Sequence, residues 1–337
     1  MRKQAKQPPS FAALVQAYFA EYLTQQRALS PQTIAAYRDA FMLFLAFAES
    51  RIGKSPTTMK LADVTSDLLM AFLDYLERQR HNSVRSRNAR LAALRSFLKF
   101  AAHRDVSSMQ VIERALGVPV KRFERPMFGY LSRDEMLAVI GSPNGPWLSQ
   151  RDHLLLLLLY NTGARVSEMI GVKVGDVILD DSAACVHLHG KGRKQRSVPL
   201  WQSTVKAVRA WLRFNSQFDA ASPLLPNRNG YVMTRANVTL RLTLAVQAAT
   251  SAHPSLAKRH ISPHVIRHTT AMHLLQSGVD ISVIALWLGH ESPMTTHQYV
   301  EADLTMKERA LAKVHEPATK IQRYKAPDSL LAFLRKL

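Results

Sequence analysis

The sequence predicts two folded parts: an all-helical module, then a mainly α domain that carries a small β-sheet (α+β). Three observations lead there. Helix-period apolar spacing punctuated by polar caps fills the first hundred residues, a single hairpin-like alternation over residues 184–200 interrupts an otherwise helical second part, and a Pro-containing basic stretch without amphipathic period lies between them. A length of 337 residues fits two cores, since single cores rarely grow past roughly 250 residues.

The first helix is predicted over Phe11 to Gln26. Ser30 and Pro31 then supply an N-cap and an N1 proline for a helix over Thr33 to Ser50. A loop holding Gly53, Ser55 and Pro56 follows, Thr65 caps a helix to about Arg80, and Ser83 opens a basic helix that ends near His103. Between Arg78 and Arg104 there are eight Lys or Arg and no Asp or Glu. Leu91, Leu94, Leu98 and Ala101 give that last helix an apolar face, and Arg87, Arg90 and Arg95 are read as lying elsewhere on the wheel. A solvated helix usually mixes signs for i,i+4 support, so a face of one sign points to a polyanion. The stretch from Gly117 to Gly129, with Pro119, Pro126, Lys121, Arg122 and Arg125, reads as a basic linker.

The second part opens with a capping box, Ser132 to Glu135. A helix over Arg151 to Asn161, a turn at Gly163 and a short helix with Arg165 and Glu168 come next. Ala184, Val186 and Leu188, a turn at Gly190 to Gly192, and Arg196, Val198 and Leu200 read as a β-hairpin. Helices resume at Thr204 to Phe214, around Arg235 to Thr250, at Pro263 to Ser277 and at Ile281 to Leu288. The expected organisation is a helical module over 8–108, a basic linker over 109–127, a second domain over 128–316 and a tail over 317–337.

Composition narrows the function classes. Lys and Arg number 45 against 25 Asp and Glu, a net charge of +20 and a pI of about 10.4, and a cut at Arg125 leaves +10 on each side. Both parts are therefore candidates to touch one polyanionic partner. A single cysteine, Cys185, excludes a disulfide framework and a Cys-rich zinc module and fits a reducing cytoplasm. The leucines 154–159 fall far short of the roughly 20 apolar residues of a membrane span, and the N-terminus makes a poor signal peptide, so a cytoplasmic protein is expected.

Four short motifs carry chemistry. In Ser262-Pro263-His264-Val265-Ile266-Arg267-His268, a cap and an N1 proline put His264 in a first helical turn, with Arg267 on the same face, where free N–H groups favour an anion. In Thr162-Gly163-Ala164-Arg165-Val166-Ser167-Glu168, a glycine turn leads to an arginine that Glu168 can brace. Two guanidiniums can grip one phosphate bidentately, although a surface ion pair between Arg165 and Glu168 would read the same way. The hairpin turn Gly190-Lys191-Gly192-Arg193-Lys194-Gln195-Arg196 sets Lys191 among cations that depress an amine pKa and suit it to proton donation; a hairpin lying passively on DNA phosphates is the plain alternative. Leu288-Gly289-His290-Glu291 ends a helix at glycine, and Tyr299 follows nine residues after His290. By itself Tyr299 reads as a packing residue.

Taken together and in this order, Arg165, Lys191, His264, Arg267, His290 and Tyr299 resemble the active site of the tyrosine recombinases, the phage-integrase family. The likeness runs from Phe11 to roughly Ala312. It implies a SAM-like helical core-binding domain and a catalytic domain closing as a C-shaped clamp on duplex DNA. Tyr299 would be the nucleophile, Arg165 and Arg267 the phosphate clamp and Lys191 the general acid, with His264 and His290 assisting proton transfer and Glu168 in support. Arg85, Arg87, Arg90, Arg95, Lys121, Arg122, Arg193, Lys194 and Arg196 would contact DNA. The resemblance implies a 3′-phosphotyrosyl intermediate and a Holliday junction, no cofactor and no metal. It also implies double-stranded DNA with specific sites as partner, and a homo-tetramer on paired sites formed from a monomer or weak dimer. Ile266 stands where leucine is usual, and His290 is one of two residue types common at its place.

Thirty-eight residues follow Tyr299, and Ser329 to Leu337 reads as a short amphipathic helix; the resemblance implies docking on a neighbouring protomer, with intramolecular packing or a frayed tail as the alternative. About ten residues precede the first helix, which leaves no room for an arm-type DNA-binding domain and favours a transposon or other mobile-element recombinase over an elaborate phage integrase. The alternatives are a chromosome-dimer-resolving recombinase, a simple phage integrase, a relaxing type IB topoisomerase, and an accessory DNA-binding protein without the chemistry. The 13 histidines, with His264 and His268 at i,i+4, raise a metal-dependent hydrolase, but no His-Glu-x-x-His is present and the arginines oppose a cation.

Overall fold

The computed structural model describes residues 9–123, 129–143, 147–180, 183–190 and 195–290, with Thr296 and Tyr299. The chain divides into two compact units, Met1–Pro126 and Met127–Leu337.

In the first unit, α1 (Phe11–Ala17) is capped by the Ser10 hydroxyl, which accepts the Ala13 N–H at 3.2 Å. The predicted single helix changes form at Tyr18 and continues as a π-helix over Tyr18–Gln26; at that junction the buried Tyr18 ring packs against Phe41, Phe97 and Phe100. The helices α2 (Pro31–Ile52), α3 (Ser66–Arg78) and α4 (Val84–Ala102) start at the predicted caps Ser30, Thr65 and Ser83, whose hydroxyls each accept an N–H three residues on. One helix departs from expectation. Residues 109–116, expected to begin the linker, form α5 (Met109–Leu116), which buries Ile112 and Ala115 against α3 and α4. Eight residues with two buried apolar positions are too few to display a period.

In the second unit, α6 (Arg133–Gly141) has both arms of its capping box: Glu135 N–H to Ser132 Oγ at 3.2 Å, and Ser132 N–H to Glu135 Oε2 at 2.9 Å. The centre is α7 (Trp147–Thr162), where Leu154, Leu155, Leu156, Leu158 and Leu159 are all buried, as a helix enclosed on every side requires. Each such leucine contributes roughly 2 kcal/mol. The short α8 (Val166–Met169) precedes an antiparallel sheet of β1 (Val177–Ile178), β2 (Cys185–His189) and β3 (Gln195–Pro199), in that order. The β2–β3 register pairs Val186 with Val198 and Leu188 with Arg196, and sends Val186, Leu188 and Val198 into the core. Strand β1 is absent from the sequence reading because its two residues are too few to show alternation. The remaining helices, α9 (Gln202–Phe214), α10 (Arg235–Ala249), α11 (Pro263–Gln276) and α12 (Ile281–Leu288), lie within a few residues of their predicted spans. Helix α11 packs along α7, and Thr270 Oγ1 donates to Tyr160 O at 2.8 Å. Among the described residues no helix is long and apolar enough to cross a membrane. Ser329 to Leu337 lies outside the described residues.

Candidate active site

The site is assembled where the end of α7, the start of α8, α11 and the end of α12 meet. Chain direction is set by two glycines in the left-handed region. Gly163, at φ +59°, turns the chain from α7 toward α8, and a Cβ there would lie 2.5 Å from Leu288 Cδ2. Gly289, at φ +65°, ends α12, and a Cβ there would meet Arg196 Nη1 at 2.9 Å. Only glycine combines that backbone with that approach.

Arg165 is the N-cap of α8, and Glu168 three residues on folds back over it. The Arg165 N–H donates to Glu168 Oε2 at 2.9 Å and its Nη1 to Oε1 at 2.7 Å, while Nη2 reaches Gly289 O at 3.4 Å. From β3, Arg196 Nη2 donates to the same Oε2 at 2.8 Å and its Nε donates to Trp287 O at 2.9 Å. Burial opposes ionisation of Glu168, but the hydrogen bonds and charges of Arg196 and Arg165 outweigh it and hold the carboxyl down to about 2.

Arg267, on α11, is 5% exposed, and its Nη1 and Nη2 donate to the Gly163 and Leu288 carbonyls, both at 2.7 Å. These two bonds fix the plane of the guanidinium and leave three N–H donors for other partners. Desolvation and the neighbouring Arg165 lower its pKa to about 10, so it stays a cation at neutral pH. His264, one turn earlier and exposed, is shifted down by desolvation and by Arg267, Arg165 and Arg235. The Ser262 side chain makes no capping hydrogen bond.

Tyr299 is 1% exposed. Its ring lies nearly parallel to that of His290, 13° between planes and 6.3 Å between centroids, and its hydroxyl is 2.9 Å from His268 Nδ1. His290 Nδ1 is 2.7 Å from Thr296 Oγ1. Desolvation followed by surrounding positive charge lowers both His268 and His290 to about 4, so both imidazoles are neutral at physiological pH.

Arg165, Glu168, His264, Arg267, His290 and Tyr299, singled out in the sequence, thus come together. Lys191, Arg193 and Lys194 lie outside the described residues. Arg196, read as a DNA contact, is turned inward instead: it ties β3 to Glu168 and to the end of α12 with its side chain 13% exposed. The sequence reading missed His268, seen there only as the i,i+4 partner of His264 in a metal pattern. Among the described residues no three His, Cys, Asp or Glu are grouped to hold a metal ion.

Two of the cations expected on DNA in α4 are committed elsewhere. Arg87 is 4% exposed; its Nη1 donates to Asn88 Oδ1 at 2.9 Å and Pro119 O at 3.2 Å, and its Nε lies 3.2 Å from Glu77. Arg95 Nη2 donates to Leu116 O at 2.6 Å and Val118 O at 2.8 Å. Arg87, buried, is thereby corrected from a DNA contact to a structural tie, and Arg95, partly buried, gives its Nη2 to the chain that leaves α5. Arg85 and Arg122 are exposed, Arg90 is half-buried, and exposed Lys121 pairs with Glu77 at 2.6 Å.

Residues 130–306 match the profile of the Phage integrase family, and residues 16–105 that of the Phage integrase N-terminal SAM-like domain. The chain is 42% identical to a candidate integrase/recombinase of Sinorhizobium fredii, y4rC, with 97% of this chain and 98% of that protein covered. It is 34% identical to the tyrosine recombinase XerC of Pelobacter propionicus, covering 89% and 94%. Its fold is similar to the structure of the Tn1549 transposon integrase in complex with transposon right-end DNA, at TM-score 0.69 and 15% identity, over 90% of this chain and 99% of that one.

Proposed function

This chain belongs to the phage integrase family, the tyrosine recombinases, and from that premise we propose that Tyr299 is its nucleophile and Arg165 and Arg267 its phosphate clamp. It is a site-specific DNA recombinase that breaks and rejoins strands. The Tyr299 oxygen attacks the scissile phosphorus as its phenolic proton passes to a neutral histidine of the site, His264 in this reading; a 3′-phosphotyrosyl bond forms and the bond to the 5′-oxygen breaks. That oxygen leaves as a 5′-hydroxyl after taking a proton, for which Lys191 is the donor in this reading. The free 5′-hydroxyl of the partner strand attacks the phosphotyrosyl bond in turn and returns the proton to the tyrosine, giving a Holliday junction after one pair of exchanges. Phosphodiester energy is conserved in the covalent link, so neither step consumes a nucleotide.

The arginines meet the charge that develops on the pentacoordinate phosphorane. Arg267 is suited to this because its two carbonyl bonds orient the fork before substrate arrives; electrostatic preorganisation of this kind costs no rearrangement in the transition state. Glu168 holds Arg165, and Arg196 holds Glu168. His264 and His290 are neutral, so they can accept hydrogen bonds as well as donate them. The observation that carries the reading is that Arg165 and Arg267 both bond carbonyls at the end of α12, next to His290, whose ring lies parallel to that of Tyr299. Double-stranded DNA is the substrate in this reading, both units contribute cations to it, and a homo-tetramer on paired sites performs the exchange. A mobile-element role fits the mobile-element integrase likeness. The test is covalent capture on nicked duplexes from a randomised library, followed by mass spectrometry: the nucleotide adduct is expected on the peptide containing Tyr299, and an adduct on another residue would overturn the assignment.

A further inference from the structure

We propose that His268 is a positioning residue for the nucleophile, holding the Tyr299 hydroxyl through its Nδ1 so that the phenol oxygen is already oriented when a phosphate enters the arginine clamp. This rests on the reading of Tyr299 as nucleophile and adds a residue to it. The geometry is direct: Oη to Nδ1 is 2.9 Å, the two ring centroids are 5.6 Å apart, and the His290 ring lies nearly parallel to the tyrosine ring at 6.3 Å between centroids. His268 stands on the same rigid helix as Arg267 and one residue after it, so the group that orients the attacking oxygen and the group that clamps the phosphate are fixed relative to each other by α11. Nucleophile orientation is worth most where the partner is immobile, because a small misplacement of the attacking atom costs rate rather than binding.

A second role, general base, suits His268 poorly. Desolvation disfavours a charge on it first, and the positive charge of Arg267, with that of His264 whenever it is protonated, adds to that effect from the same helix. Taking the phenol proton would place an imidazolium beside those charges, and the shift of His268 to about 4 expresses that penalty. A neutral imidazole can instead accept the phenolic O–H without being protonated, which leaves the oxygen lone pairs for phosphorus.

The experiment uses the full chain and the nicked duplex recovered by covalent capture from a randomised library with the wild-type protein. Single-turnover cleavage at saturating DNA is followed from pH 5.5 to 8.5 for His268→Ala and His268→Asn. The asparagine amide puts an acceptor near the position of Nδ1 but cannot act as a base. His268→Ala is expected to form the adduct about tenfold more slowly with unchanged DNA affinity, and His268→Asn to recover most of that loss with a profile parallel to wild type. Wild-type rates in His268→Ala would overturn the proposal. So would equal loss in both variants: with a changed pH profile that result makes His268 a base, and with an unchanged one it makes His268 packing only. Tyr299→Phe on the same duplex separates the two levels, because an adduct surviving in that variant removes the nucleophile assignment, whereas the histidine variants bear on rate alone.

Discussion

Glu168 receives one backbone N–H and two guanidiniums on a single carboxylate that is almost fully buried, and removing it leaves Arg196 without the partner that its position depends on. Glu168→Ala is expected to cost about 3 kcal/mol in a denaturant titration, the range for breaking a buried pair from one side. Cleavage should fall as well, since Arg165 loses its brace. The acid limb of stability has two parts with the same sign. His268 and His290 are lowered to about 4 from an ordinary 6.5, so the unfolded chain takes up protons first and stability falls as pH drops from 6.5 toward 4. Glu168, held at about 2 against an ordinary 4.5, contributes fully above pH 4.5 and loses that contribution only as pH falls toward 2. Urea midpoints at pH 7, 6 and 5 should therefore decline before the Glu168 carboxylate is protonated, and a flat line over that range would contradict neutral burial of the two imidazoles. Arg267→Ala should slow adduct formation a hundredfold or more, about 3 kcal/mol of transition-state stabilisation, while most DNA binding persists in a shift assay.

At the scale of elements, the turn at Gly163 and the end of α12 act as one unit, because Gly163 packs on Leu288 and both carbonyls hold Arg267. Gly163→Ala adds a left-handed-region penalty of about 1 kcal/mol to an overpacking cost of about 1–3 kcal/mol, so a clear drop in thermal midpoint is expected. Helix starts were legible from sequence because a cap is a local device: Ser30, Thr65, Ser83 and Ser132 announce helices without reference to anything distant. Short elements were not. Strand β1 and helix α5 exist through tertiary contact, and α8 was visible only because an arginine and a glutamate frame it. The face of α4 was misjudged for a reason present in the spacing: Arg87, Leu91, Leu94 and Leu98 run at i, i+4, i+7 and i+11, so Arg87 begins the buried stripe, and Arg95 stands at its edge. Arg87→Ala should accordingly destabilise the helical unit, whereas Arg85→Ala should leave stability unchanged and lower the salt slope of DNA binding by about 1.

For the whole molecule, the excess of +20 divides into charges with different duties. Under the proposed function Arg165 and Arg267 serve the phosphate under attack and exposed residues such as Arg85 and Arg122 position the duplex, while Arg87, Arg95 and Arg196 bond partners within the fold. Composition revealed the polyanion and ordered motifs revealed the family, since both survive without knowledge of packing. Which cation performs which duty depends on what each side chain meets across the fold, and no local spacing encodes the 2.7 Å bonds from Arg267 to two distant carbonyls. All of these assignments converge on one hydroxyl. The most direct measurement pairs a gel-shift titration with denaturing-gel detection of covalent adduct on the captured nicked duplex, for wild type and Tyr299→Phe. Equal binding with no adduct in the variant is the expected result; an adduct that persists without the Tyr299 hydroxyl would contradict it.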